Sequence, residues 1–136
     1  MRVPLLRLNR DVLIVPIHTD VTDDMVVDFR DALTNRVAQG QFKGAIIDIS
    51  ALEVVDSFMA RVLNDTARML RLLGADVVVC GMQPAVALTL VEMGRDFVDI
   101  ATSFNLELAL IRLAELMALS NPGSHSSGDG RVQPAR

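Results

Sequence analysis

Residues Gly44 to Gly74 read GAIIDISALEVVDSFMARVLNDTARMLRLLG, and the fold class turns on how they are divided. Ala45 to Ile49 is too short for a helix and has no polar alternation in its middle. Such a run predicts a strand buried on both faces, as in a parallel sheet. Asp48 stands at its end and a short connector follows. Asp56-Ser57 then lies directly before a long amphipathic stretch. Its apolar positions are Phe58, Val62, Thr66, Met69 and Leu73, flanked by Met59, Leu63 and Leu70. Arg61, Asn64, Asp65, Arg68 and Arg71 take the other side, with Arg61–Asp65 and Asp65–Arg68 at the spacing of helical ion pairs. Gly74 closes the helix.

Upstream, Val3 to Leu8 and Val12 to Ile17 are apolar runs around Asn9-Arg10-Asp11, the spacing of an antiparallel hairpin. Thr22 is placed to cap a helix whose first turn carries Asp23 and Asp24 near the positive end of its dipole. Met25, Phe29, Leu33 and Val37, widened by Val26, form its apolar stripe, and Gly40 ends it. Downstream, Val77 to Cys80 predicts a second buried strand with Gly81 at its exit. Pro84 opens a short helix after Gln83 that stops at Gly94. Phe97 to Ile100 is expected as a short edge strand.

Asn105 caps a last helix from Leu106 to about Leu119, which is apolar on two sides. Leu106, Ala109, Leu110, Leu113 and Met117 make one stripe; Leu108, Ile111, Leu116 and Leu119 make another. Either the domain wraps this helix deeply or the helix meets something else. The order of elements predicts an α/β fold: a small mixed β-sheet, an N-terminal hairpin plus parallel strands, backed by about four helices. One domain is expected over residues 1–119. The Ser/Gly/Pro-rich segment 120–136 is expected to be a disordered tail.

At 136 residues the chain is long enough for a core. With 13 basic against 17 acidic residues its formal charge is −4, which leaves no basic stripe for nucleic acid or anionic lipid. Proteins or small molecules are the expected partners. Cys80, the only cysteine, excludes an internal disulfide and a cysteine-based zinc site, and fits a reducing compartment. No segment has the apolar length of a membrane span and the N-terminus does not read as a signal peptide. A cytoplasmic address is expected.

Most enzyme chemistries lack a motif here. No serine lies in G-x-S-x-G, and neither a GxxxxGK[ST] loop nor a G-x-G-x-x-G fingerprint occurs. His18 and His125 are the only histidines, and His125 falls in the expected tail. No catalytic residue, metal site or cofactor is predicted. Asp48 could serve as the acceptor of a phospho-receiver, but the one lysine, Lys43, precedes its strand instead of following a late one. A structural role, tying down the Ser50 to Val55 connector, is the other reading of Asp48.

Asp56-Ser57 is the sharper candidate. If either caps the helix, Met59 or Ala60 falls at the third helical position, so no capping box forms and capping explains only one of the two. A phosphate on Ser57 would lie near unpaired N–H groups and the positive end of the helix dipole, where a dianion is tolerated without unfolding anything. From the residues alone, cap and switch both stand.

Ile47-Asp48-Ile49-Ser50-Ala51-Leu52-Glu53-Val54-Val55-Asp56-Ser57-Phe58 and its helix, with Gly74 to Gly81 and Gly81 to Gly94, resembles STAS domains. The likeness runs from about residue 3 to 118. Ordinary anti-sigma factor antagonists of that family carry D-S-[ST]-G-L at the helix start, and Asp56-Ser57-Phe58-Met59-Ala60 departs from it. The D-S-F-x-A form, with Gly81-Met82-Gln83-Pro84-Ala85-Val86-Ala87, is similar to the RsbS-type stressosome scaffolds.

That resemblance implies a non-catalytic scaffold. It would co-assemble with RsbR-type STAS proteins into a large core, as a homo-oligomer or dimer in its own right. It would hold an RsbT-type serine/threonine kinase and release it when phosphorylated on Ser57, and an RsbX-type phosphatase would reset it. Asp56, Ser57, Phe58, Met59 and Arg61 would form the partner surface, with Thr89 a second candidate for phosphorylation. A free anti-sigma factor antagonist is the nearest rival. A small hydrolase or a receiver is a more distant one.

Overall fold

The computed structural model of the chain describes residues 3–94 and 100–120. Two strands, β1 (Leu6–Arg7) and β2 (Val12–Pro16), form the N-terminal hairpin. Helix α1 (Asp23–Ala38), strand β3 (Gly44–Asp48) and helix α2 (Ser57–Leu72) follow. Then come β4 (Asp76–Cys80), α3 (Pro84–Glu92), β5 (Ala101–Ser103) and α4 (Leu106–Ser120). The sheet order is β1-β2-β3-β4-β5, with β1 antiparallel to β2 and every other pair parallel. This is the mixed α/β sheet that the sequence predicts.

The period-2 geometry of a strand splits the core into two layers. Leu13, Val15, Ala45, Ile47, Val77 and Val79 point to one face, where Phe29, Leu33, Leu63, Leu70, Val86 and Leu90 of α1, α2 and α3 cover them. Val12, Ile46, Val78 and Cys80 point to the other face, under Ala109 and Leu113 of α4. Ile46 and Ile47, adjacent in β3, are both essentially inaccessible. β3 is therefore buried on both sides, as its unbroken apolar run predicts.

Helix α4 lies close to the sheet because β3 begins with glycine. A Cβ at Gly44 would stand 2.7 Å from the Met117 Sδ and 3.2 Å from a Leu113 methyl. The first of the two predicted stripes of α4 covers the sheet. In the second, Leu108, Ile111 and Leu119 are exposed, while Leu116 is half-buried against the core. Ser120, expected at the start of the tail, is the last residue of α4 and its hydroxyl donates to Asp76 at 2.9 Å. Residues 121–136, the rest of that expected tail, lie outside the described residues.

Two expectations are corrected, and a third falls mostly outside the described residues. The hairpin strand is only two residues long, although Val3 is buried; Pro4 has no N–H to give to a ladder. The edge strand described is Ala101–Ser103, next to the expected Phe97–Ile100. Ile100 precedes it as a buried anchor, and Phe97–Asp99 lie outside the described residues.

The second correction concerns α2. Its buried face is Met59, Ala60, Val62, Leu63, Asn64, Thr66, Ala67 and Leu70. Met69 and Leu73, placed on the core stripe, are 37% and 48% exposed. Ala60 and Ala67 rotate the contact face: small residues allow close approach, yet weigh little in a hydrophobicity pattern. Asn64, expected outside, is carried inward, and its Oδ1 has no hydrogen-bond partner among the described residues. The Thr66 hydroxyl is satisfied within the helix, donating to the Val62 carbonyl at 2.6 Å. Neither Arg61–Asp65 nor Asp65–Arg68 forms an ion pair among the described residues, whereas Arg30–Asp31 and Arg112–Glu115 do.

Candidate functional site

The carboxyl ends of β3 and β4 carry the connector that delivers Asp56 and Ser57. Its path is set at Asp48, whose carboxylate accepts the Ser50 N–H at 3.0 Å. This is the structural role that tied Asp48 to the Ser50–Val55 connector. Cys80, paired with Asp48 across the sheet, donates its thiol hydrogen to the same carboxylate. Burial, then the Asp48 charge and that hydrogen bond, push the Cys80 thiol up to about 12. It therefore stays protonated at neutral pH and remains a donor.

The β4–α3 turn holds Ser50 from the other side. The Gln83 side-chain amide donates to the Ser50 carbonyl at 2.8 Å. Gly81 takes φ +79°, and a Cβ there would lie 2.6 Å from the Ser50 Cβ and 2.9 Å from its Cα. Leu52 and Val55 are buried and pin the middle and end of the connector. Val54, which lies between the two, is 78% exposed.

Asp56 then caps α2. Its backbone is extended (φ −88°, ψ 175°) and its Oδ1 accepts the Met59 N–H at 2.8 Å. Ser57 is the first helical residue. It is exposed, and its hydroxyl makes no hydrogen bond among the described residues. The cap reading thus belongs to Asp56 alone, and Ser57 is left with no structural task. Replacing Asp56 by Ala is expected to destabilise the protein by about 1 kcal/mol, with Asp56→Asn close to wild type. Urea unfolding of the two variants measures the difference.

The other residues of the expected partner surface divide. Arg61 is exposed one turn beyond Ser57, and Phe58 is half-buried against the core. Met59 is 8% exposed and packs inside, where it shapes the helix start. Thr89, the second candidate, is half-buried and its hydroxyl donates to the Ala85 carbonyl at 2.9 Å, one turn back in α3. The contribution of Gln83 was not visible in the sequence. Its bond to Ser50 spans 33 positions, and no local signal marks such a pair.

Among the described residues, no group of three or more His, Cys, Asp or Glu is arranged to hold a metal ion. No helix there is long and apolar enough to cross a membrane.

Comparison with known proteins places this geometry. The family model of the STAS domain matches residues 4–108. The structure is similar to that of RsbS from Moorella thermoacetica carrying a serine-to-glutamate substitution. The two share 42% identity and a TM-score of 0.76, over 86% of this chain and 98% of that one. A chain from the stressosome, described as a signal integration and transduction hub, shares 43% identity at a TM-score of 0.73, over 84% of this chain and 98% of its own. By sequence, the RsbT co-antagonist protein RsbRA of Bacillus subtilis (strain 168) is 24% identical over 113 residues, covering 83% of this chain and 41% of that protein. The chain thus spans about two fifths of that curated relative.

Proposed function

This chain belongs to the STAS domain family, and from that membership we propose that it is a non-catalytic stressosome scaffold switched by phosphorylation of Ser57. The observation that carries the proposal is the division of labour at the start of α2. Asp56 supplies the cap, and Ser57 beside it is exposed with its hydroxyl uncommitted among the described residues. A structural serine would be expected to use its hydroxyl; a modified one must leave it accessible.

In this reading the unmodified chain co-assembles with RsbR-type STAS proteins and holds an RsbT-type kinase. The kinase transfers the γ-phosphoryl group of ATP to the Ser57 Oγ. The O–P bond forms as the bond to ADP breaks, and the hydroxyl proton is lost. The new dianion meets the positive end of the α2 dipole, so the helix survives while the surface charge changes. A partner shaped for a neutral serine is then repelled. Hydrolysis by an RsbX-type phosphatase restores the hydroxyl and releases inorganic phosphate.

Similarity to the RsbS and stressosome chains over nearly their whole length supports the scaffold over a free anti-sigma factor antagonist. Light scattering of the chain mixed with an RsbR-type protein separates the two. A scaffold is expected to give a particle many times larger than either component. A mixture containing only small species would favour the antagonist.

A further inference from the structure

Arg61 is the cation nearest to Ser57 along α2. The two are at i and i+4, so their Cβ atoms lie about 5–6 Å apart on one side of the helix. Both are exposed. The acidic residue is the N-terminal member of the pair once Ser57 carries phosphate, which is the orientation that helps a helix most. Arg61 takes part in none of the ion pairs of the described residues, even though Asp65 stands one turn further on. The other carboxylates along this segment are Glu53, exposed in the connector, and Asp56, whose Oδ1 already accepts the Met59 N–H. A chain of net charge −4 thus presents an unpaired guanidinium beside the one exposed hydroxyl at the helix start.

We propose that Arg61 is the intramolecular receptor of a phosphate on Ser57. Its fork of N–H donors reaches back one turn and holds two phosphate oxygens, as guanidinium and phosphate geometry favours. The inference rests on the reading of Ser57 as the phosphorylated residue, and it adds a second half to the switch. Before modification the Arg61 guanidinium is available to a carboxylate of the bound kinase. Afterwards it is engaged by the phosphate, and the net charge of the pair passes from +1 to about −1. Phosphorylation therefore removes an attraction as well as adding a repulsion.

The test needs no kinase. Phosphoserine is encoded at position 57 of the full chain during translation, and its second ionisation is followed by phosphorus NMR between pH 5 and 8. A guanidinium partner favours the dianion, so the pKa of the wild-type chain should lie below that of Arg61→Ala by about 0.3–0.5 unit. Arg61→Lys should fall between them, Arg68→Ala should match wild type, and high salt should narrow the gap. Superimposable curves for wild type and Arg61→Ala would overturn the proposal. That result would leave phosphorylation of Ser57 untouched. Conversely, failure of a kinase to modify the unmodified chain would sink the Ser57 reading and leave this comparison interpretable.

Discussion

Gly81→Ala is expected to destabilise the protein by about 3 kcal/mol or more, a large share of the roughly 5–15 kcal/mol that holds a domain of this size. Two costs add. Alanine at a φ of +79° loses about 1–2 kcal/mol through its Cβ and the following carbonyl. The Cβ would also stand 2.6 Å from the Ser50 Cβ and 2.9 Å from the Ser50 Cα. Backbone cannot swing aside as the end of a long side chain can, so overpacking of about 1–3 kcal/mol follows.

Gly40 supplies the control. Its φ is +74°, and nothing lies within 4 Å of where its Cβ would be. Gly40→Ala should therefore show the conformational cost alone. Thermal unfolding of the two variants reads the difference, and equal losses would mean that Gly81 and Ser50 are not in contact. The same contact positions the connector, so any Gly81→Ala protein that folds should also be a poorer substrate for modification at Ser57.

Ser57→Asp should leave stability almost unchanged and weaken kinase binding at least tenfold. A carboxylate at the first position of α2 interacts favourably with the helix dipole by about 0.3–1 kcal/mol, which covers the small cost of one more acidic residue. On the partner's side the same charge must be desolvated against a surface shaped for a hydroxyl, and about 1.4 kcal/mol is enough for a tenfold loss. Titration calorimetry with an RsbT-type kinase measures it. Wild-type affinity would count against charge as the releasing force. It would leave the site itself standing, because one carboxylate is a poor copy of a phosphate dianion with three acceptor oxygens.

Much of this architecture is legible in the residues because burial and capping leave local marks. The run Ala45–Ile49 has no polar alternation, and β3 is covered on both faces. Thr22 reads as a cap and accepts the Met25 N–H; Pro84 reads as a first helical residue and is one. What escaped has no local mark. The face of α2 depends on Ala60 and Ala67, whose smallness matters only once a neighbouring surface is present. The hold of Gln83 and Gly81 on Ser50 joins the ends of two strands that the sequence separates. At the site, the sequence left Asp56 and Ser57 as equal candidates for the cap. Geometry divides them, since only the Asp56 carboxylate accepts from the Met59 N–H ahead of it.

The most direct measurement is phosphate mapping by mass spectrometry after incubation with an RsbT-type kinase and ATP. One phosphate per chain is predicted, on the peptide containing Ser57, and none on a Ser57→Ala variant that folds like wild type. Normal phosphorylation of Ser57→Ala, or a phosphate mapped to another residue while Ser57 stays unmodified, would contradict the account.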